Sequence, residues 1–506
     1  MPAAAPNLAG TMAIEDPSQS PAGPGPHDQL LDTPAAGPAA IRGGALRVVS
    51  YVAGVLLSVG AAALLFRHLG VVDGGRYVTV LSLMGLFAGI ADAGLLTVGV
   101  RELSIRHGQD RGLFLQDLLG LRIVLTLLAV AAATAFAAIA GYPTVMVVGT
   151  AVSGVGFLLA GIQGALGTSL LARLRLGWVS LLEFLRNVVT VVLVVVLVAA
   201  GATLLPFLAT SIAAGIAILI PTALLVRDDI PLTPRFHTPA WRRLLRDLLP
   251  YAAATAVVAV YFRVAIVIVS LISSPEQTGY FGASFRIVEV VLGLPQLAIG
   301  AAFPIFAHAA QSDRARLSYG VQRVFEAALL LGGVVLVGFG LGAPFAIRIV
   351  AGPDFAPAAD VLRIQSIGLG CSFVAATWAY TLLSLHRHRQ ILALSLLPLA
   401  INTVLTLILA SVADARGAAV ATTVGEVVLM VASGIVASRA LGGTISWTPV
   451  PRVLAALVLP ALLLVLHLPS LAAVLIGVPL FLVAAYVLRA VPDELVEELR
   501  AVGRQS

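Results

Sequence analysis

The stretch from Tyr251 to Ile272 reads YAAATAVVAVYFRVAIVIVSLI, and Arg263 is its only charged residue. An apolar run of about 20 residues is long enough to cross a bilayer as a helix. Similar runs recur along most of the chain, in which 59% of the 506 residues are hydrophobic and 11% are charged. Because a soluble domain usually carries about 25% charged residues, the sequence predicts an all-α polytopic membrane protein and excludes a water-soluble enzyme.

Apolar periodicity predicts fourteen membrane spans, numbered here in chain order. Pro460 and His467 interrupt span thirteen, so twelve spans is the alternative count. The predicted spans are 45–66, 77–100, 118–140, 144–165, 176–200, 203–226, 248–273, 279–305, 322–347, 361–385, 390–412, 415–437, 452–467 and 470–489.

The distribution of arginine predicts the orientation of these spans. With the N-terminus inside, 22 of the 31 basic residues lie in inside segments and 4 in outside segments. Cytoplasmic loops carry such an excess of basic residues, so both termini are predicted to be cytoplasmic, in the cell (inner) membrane. The loops are short and leave no room for a soluble catalytic domain, so no enzyme activity is predicted.

The chain is predicted to have two similar halves. Gly75 and Gly279 each precede a tyrosine at the start of an even-numbered span, and they are separated by six helices and their loops. Spans one and seven run in the same direction, so the halves are predicted to be parallel repeats about an axis along the membrane normal. Two six-helix lobes would then enclose a central cavity, with two further helices at the C-terminus.

These features define the predicted domains. The segment 1–44 is rich in proline and lacks an apolar run, which is typical of a disordered tail. The basic and apolar segment before span seven, with Thr238 as N-cap, is predicted to lie in the membrane interface. The domains are a cytoplasmic tail at 1–44, an N-lobe at 45–226, an interfacial linker at 227–247, a C-lobe at 248–440, spans thirteen and fourteen at 441–490 and a cytoplasmic tail at 491–506.

Several short motifs, by their order and spacing, carry a resemblance to a known family. They are FRHLG at 66–70, GRY at 75–77, ADAGL at 91–95, VREL at 100–103, GYFGASFRIVE at 279–289, AFP at 302–304 and GPDFAPAA at 352–359. Over roughly residues 45–440 the chain resembles the polysaccharide transporter branch, the Wzx-like oligosaccharide flippases, of the multidrug/oligosaccharidyl-lipid/polysaccharide (MOP) superfamily. The resemblance implies movement of a polyprenyl-pyrophosphate-linked oligosaccharide from the cytoplasmic to the outer leaflet, for assembly of cell-surface polysaccharides such as lipopolysaccharide or exopolysaccharide.

Arg263 is the first candidate site residue, because charged residues within membrane spans are rare and usually functional. Its guanidinium can bind the oxygens of a pyrophosphate in a bidentate manner. The alternative is a structural ion pair with an acid on another helix.

Two further arginines lie within spans, each three residues after or before a glutamate. Arg286 with Glu289 and Arg186 with Glu183 can each meet on one helix face. They are predicted either to neutralise each other or to open for an anionic headgroup. Asn187 and Glu183 can contact sugar hydroxyls.

Asp92 and Glu426 lack a partner close in sequence. Either acid can pair with Arg263, or bind a proton or sodium ion for coupling. No metal site is predicted, because Cys371 is the single cysteine and no histidine–carboxylate motif accompanies it.

The predicted function is therefore alternating-access flipping of a lipid-linked glycan, without a resident cofactor, within the bilayer and without nucleic acid. Contacts with other polysaccharide-assembly proteins are a further expectation. One alternative is a multidrug or cation antiporter, although span one carries no acid between 45 and 66. Another is a lipid II flippase, although spans one and two carry no arginine away from their ends. A membrane glycan polymerase or ligase is the alternative from another class.

Overall fold

The computed structural model describes residues 36–92, 94–106, 108–173, 175–227, 231–300, 303–466 and 468–491. Most of the predicted N-terminal tail and nearly all of the predicted C-terminal tail therefore lie outside the described residues. By its internal contacts the chain forms two units, Met1–Ala53 and Gly54–Ser506. The packing described below is that of the second unit.

Helices build the whole of the described structure, which contains no strand in these residues. In chain order they are Ala36–Asp92, Leu95–Ile105, Gly108–Ile139, Thr144–Ala172, Leu176–Ala199, Leu204–Val226, Thr238–Ile272, Pro275–Val291, Gly293–Gly300, Phe303–Ser312, Arg314–Val350, Ala358–Ser384, His388–Ala440, Pro449–Leu462 and Ser470–Val487, with a short 3-10 helix at Pro353–Phe355.

Nine helices in the described part of the chain are long and apolar enough to cross a membrane. Two of the long helices each hold two spans. The first turns at Gly70, whose φ of 72° favours glycine, and His388–Ala440 turns at Ala413 and Asp414. Span seven occupies the C-terminal part of the helix Thr238–Ile272, span eight begins in Pro275–Val291, and span thirteen lies in the shorter helix Pro449–Leu462. The prediction of an all-α fold with about fourteen spans is confirmed.

Several helix boundaries differ from the prediction. The first helix begins at Ala36 instead of residue 45. Span two is interrupted before Leu95, where Gly94 has φ 72°. Span eight is divided between Val291 and Gly293. Average hydropathy does not reveal such breaks, because most residues on both sides are apolar.

The linker between the lobes is partly helical. The helix that contains span seven begins at Thr238, with His237 as its N-cap, so the predicted interfacial segment is continuous with the span. At the predicted inner end, the backbone amide of Arg235 donates to the carbonyl of Gln116 over 3.0 Å. Nε1 of Trp241 donates to the carbonyl of Asp117 over 2.9 Å. These bonds fasten the linker to span three.

The helices form two lobes, as predicted. Spans three to six pack on one another, and spans nine to twelve do so with span seven. Spans thirteen and fourteen pack against span nine, where the fully buried ring of Phe481 contacts Gly333.

Contacts between the lobes concentrate at the predicted outer end. A β-carbon at Gly75 would lie 2.7 Å from the backbone nitrogen of Gly279, so the two repeat-related glycines touch. Close by, Nη2 of Arg67 donates to the carbonyls of Arg348 and Ile349 over 3.0 and 2.9 Å. The rings of Phe66 and Phe355 are 5.4 Å apart in an edge-to-face arrangement, in contact across the lobes. The predicted outer end of the bundle is therefore closed.

Candidate functional site

A three-residue ionic cluster lies between the lobes. Nη2 of Arg263 in span seven donates to Oε1 of Glu289 in span eight over 2.9 Å. Nη1 of Arg286 donates to Oε2 of the same carboxylate over 2.7 Å. Nη2 of Arg286 also donates to Oγ of Ser58 in span one over 2.9 Å. We call Arg263, Arg286 and Glu289 the Arg–Glu–Arg cluster.

Helix geometry explains how the cluster forms. Arg286 and Glu289 are three residues apart, so they lie on one face of span eight. Arg263 reaches that face from the neighbouring helix, and its guanidinium packs on Gly85 of span two. A β-carbon at Gly85 would lie 2.5 Å from Nε of Arg263. Glycine at this position therefore makes room for the guanidinium.

The cluster forms part of the wall of a cavity of about 340 Å³. Polar side chains on its N-lobe wall include Ser58, Ser82, Asn187, Thr190 and Ser211. Five of the six predicted substrate-binding residues line this cavity, namely Arg263, Arg286, Glu289, Arg186 and Asn187. The side chains of the cluster are each about one-third exposed, at 28%, 38% and 34% for Arg263, Arg286 and Glu289, so their charged ends reach the cavity.

Glu183 is the sixth predicted substrate-binding residue, and it lies outside the cavity lining. It forms an ion pair with Arg186 at the predicted spacing of three residues. Both side chains are about half exposed. The two side chains are therefore paired with each other in this structure.

Asp92 pairs with a residue that the sequence did not single out. Its carboxylate accepts a hydrogen bond from Nη1 of Arg122 in span three. The suggestion that Asp92 pairs with Arg263 is wrong, because Arg263 binds Glu289 instead. An available signal was that both Asp92 and Arg122 lie in the inner halves of their predicted spans.

Glu426 also differs from its predicted pairing with Arg263. Its carboxylate accepts a hydrogen bond from the hydroxyl of Tyr261 over 2.7 Å. This acid lines a second cavity, of about 240 Å³, within the C-lobe. Most of the remaining lining is apolar, including Val258, Phe262 and Leu292. Tyr261 was missed because a tyrosine in an apolar span carries no distinctive sequence signal.

The charge balance of the main cavity decides what it can bind. Asp92 and Glu183 are each matched by one arginine, and Glu426 lies in the other cavity. The Arg–Glu–Arg cluster has two guanidiniums for one carboxylate. Arginine keeps its proton in proteins, so the cluster carries one uncompensated positive charge. A cavity of this kind suits an anion with several acceptor oxygens.

No group of three or more histidine, cysteine or acidic side chains able to hold a metal ion occurs in the described ranges. The polar groups on the cavity wall are guanidinium, carboxylate, hydroxyl and amide groups.

The sequence matches a known protein family. The model of the family described as "Polysaccharide biosynthesis protein" matches residues 40–310, more than half of the chain. The chain belongs to this family. The match covers the N-lobe, the linker and the two helices that carry the Arg–Glu–Arg cluster.

Several solved structures have a similar fold. The chain is similar to the lipid II flippase MurJ in an inward closed conformation, with 14% identity and a TM-score of 0.72 over 87% of this chain and 98% of that chain. An inward-facing multidrug resistance MATE family transporter of the MOP superfamily matches with 12% identity and a TM-score of 0.62, over 77% and 94% of the two chains. A MOP superfamily transporter from Pyrococcus furiosus matches with 13% identity and a TM-score of 0.53, over 79% and 96%.

The apolar helices and this shared fold confirm the prediction of a multi-pass membrane protein. At such identities the similarities establish the fold alone. A comparison with curated proteins finds no match.

Proposed function

We propose that this protein flips a polyprenyl-pyrophosphate-linked oligosaccharide from the cytoplasmic to the outer leaflet by alternating access. The observation that carries the proposal is the extra guanidinium of the Arg–Glu–Arg cluster, on the wall of a polar cavity between two lobes. Membership of a polysaccharide biosynthesis family and the fold shared with a lipid II flippase support it.

The cavity offers a separate place for each part of such a substrate. Arg263 and Arg286 would donate to the pyrophosphate oxygens, which guanidinium binds with charge-assisted hydrogen bonds. Asn187, Thr190 and Ser211 would meet hydroxyls of the glycan. The polyprenyl tail would stay in the lipid beside the lobes, because the bilayer solvates it without cost.

Alternating access requires the closed outer end to open. The bonds from Arg67 to span nine and the Phe66–Phe355 contact would break in that step. With the termini inside the cell, the cavity would load from the cytoplasmic side of the inner membrane, before this opening. Contacts with other polysaccharide-assembly proteins would act after release at the outer leaflet.

Coupling to a proton or sodium gradient is the remaining part of the proposal. Glu426 is the better candidate of the two acids, because its bonded partner is a neutral phenol. Asp92 is matched by Arg122, so an ion would have to compete with a guanidinium there. No resident cofactor is included in the proposed mechanism.

The decisive experiment removes the gene from its host and follows the lipid-linked glycan. Mass spectrometry with leaflet-selective labelling should show a polyprenyl-pyrophosphate oligosaccharide accumulating on the cytoplasmic face. The wild-type gene should reverse this, and Arg263→Ala should not. Arg263→Lys should rescue only in part, because lysine lacks the planar fork.

Arg416→Ala is the matched control. Arg416 pairs with Asp360 on the C-lobe, 62% exposed and outside the cavity lining, so this variant should restore transport. Normal flipping by Arg263→Ala would remove Arg263 from the site. The absence of any accumulating glycan in the deletion strain would contradict the flippase proposal.

A second candidate function is antiport of hydrophobic cations, and it is favoured by a specific feature. The C-lobe cavity joins a carboxylate to a largely apolar lining, which suits an apolar cation. In the same deletion strain this function predicts altered resistance to cationic drugs without glycan accumulation. A lipid II flippase would instead accumulate lipid II, which the mass spectrum identifies directly.

A further inference from the structure

The carboxylate of Glu289 is held as a phosphate group would be held. Each of its oxygens accepts a hydrogen bond from a different guanidinium, over 2.9 Å from Arg263 and 2.7 Å from Arg286. The two arginines come from different helices and converge on this one anion. Guanidinium uses the same donor geometry for carboxylates and for phosphates.

We propose that Glu289 is an internal stand-in for a substrate phosphate, and that it exchanges places with the pyrophosphate during each transport cycle. This inference rests on the proposed function and concerns the same cavity. Substrate entry would replace two charge-assisted hydrogen bonds to Glu289 by bonds to phosphate oxygens. On release the carboxylate would return to both arginines.

Such an exchange lowers the affinity of the cavity for the substrate and speeds release of the substrate. The substrate must displace an anion that is already bonded to both donors, so part of its binding free energy is offset. Without Glu289, a diphosphate bound by both arginines would dissociate slowly. Because release of the product is often the slowest step of a cycle, faster release would speed transport. Glu289 thus keeps the affinity of the cavity for the substrate moderate.

The same geometry selects for a diphosphate. Arg263 and Arg286 donate hydrogen bonds to different oxygens of the Glu289 carboxylate. Arg286 also donates a hydrogen bond to Ser58 in span one. When Glu289 moves aside, the oxygens of one phosphate group of a diphosphate can accept hydrogen bonds from Arg263, and those of the other can accept from Arg286. A monophosphate can replace the carboxylate on both arginines, but it cannot give each arginine a phosphate group of its own, and it carries less negative charge.

The test uses Glu289→Gln in the full-length protein, purified in detergent. Farnesyl diphosphate and farnesyl monophosphate are the probes, and calorimetry gives their dissociation constants. Removing the competing charge should tighten diphosphate binding by about tenfold, a typical value for one charge-assisted hydrogen bond. The monophosphate should gain less. In vesicles loaded with the natural lipid, multiple-turnover flipping should become slower than in the wild type.

Two further variants keep the inference testable. Glu289→Asp retains the charge on a shorter side chain and should fall between wild type and Glu289→Gln. Glu326→Gln is the matched control, because Glu326 pairs with Arg323 over 2.8 Å at the same spacing of three residues, outside the cavity lining. It should leave both dissociation constants unchanged. Thermal unfolding in the same detergent should show that the variants remain folded.

The possible results separate the inference from the proposed function. Weaker or unchanged diphosphate binding by Glu289→Gln would show that Glu289 only positions the arginines and would overturn the inference. An equal gain for both probes would indicate a general charge effect and would overturn it too. If the wild type binds neither probe and Arg263→Ala flips normally in cells, the proposed function fails instead.

Discussion

Individual charged side chains within the spans have defined partners. Arg122 forms an ion pair with Asp92, and Arg186 forms one with Glu183. Glu289 pairs with two arginines at once. An ionised side chain in the bilayer interior costs several kcal/mol, so pairing is expected. The sequence could reveal which residues are charged within apolar spans. It could also predict the two pairs that are three residues apart, but not the partners on other helices, because these depend on how each helix is rotated about its axis.

The Asp92–Arg122 pair predicts a pattern of stabilities. Arg122→Leu leaves Asp92 without its partner and should destabilise the protein by about 1–3 kcal/mol, as for other polar groups deprived of a partner. The double variant Arg122→Leu with Asp92→Leu should recover much of this loss, because no lone charge remains. Thermal unfolding followed by tryptophan fluorescence measures the effect.

Transport by the double variant gives a second result. If the pair is structural, the double variant should flip the lipid-linked glycan as the wild type does. Loss of flipping in a folded double variant would assign Asp92 to ion coupling.

At the scale of helices, the lengths of the apolar runs predicted the membrane spans. They did not predict where the helices of these spans are interrupted. The break after Val291 lies among apolar residues, and the break at Gly94 has Asp92 as its one charged neighbour. Gly70 turns one long helix into two spans through a single residue with positive φ. A glycine in an apolar run can mark such a turn or a close helix contact, and the sequence alone does not distinguish these two uses.

The contact between spans two and eight predicts a strong effect of one added side chain. Gly75→Val should push these helices apart, since a β-carbon there would lie 2.7 Å from the nitrogen of Gly279. We expect the outer end to open and flipping to slow. Cysteine labelling from outside, at a cysteine introduced for Phe66 in a Cys371→Ser background, should become faster.

Gly60→Val is the matched control on span one, because no atom lies within 4 Å of a β-carbon at Gly60. It should neither speed labelling nor slow flipping. Unchanged labelling in folded Gly75→Val would show that this contact does not hold the outer end closed.

The described part of the molecule consists of two lobes and two C-terminal helices. The described contacts between the lobes lie between the predicted outer end and the middle of the membrane. The two-lobe arrangement could be predicted from the parallel repeat, because six helices separate the equivalent glycines. The location of the cavity could not be predicted in the same way. Its wall combines spans one, two, four, five and six with the cluster on spans seven and eight.

Closure of the lobes predicts a reversible block of transport. Cysteines in place of Phe66 and Phe355, whose rings are 5.4 Å apart, should be joined by a short bismaleimide carrying a reducible disulfide. Cross-linked protein should stop flipping in vesicles, and reduction of the linker should restore it. Each single-cysteine variant treated in the same way should continue to flip. Full activity of the cross-linked pair would show that this end does not open during transport.

The meeting of Gly75 with Gly279 has a consequence for the origin of the fold. In a symmetric dimer, a residue beside the two-fold axis contacts its own copy in the other subunit. Here one chain reproduces that arrangement, with each half supplying one glycine. The two halves thus meet as the subunits of an ancestral homodimer would meet. The residue allowed at either position is therefore limited by the space that its counterpart leaves.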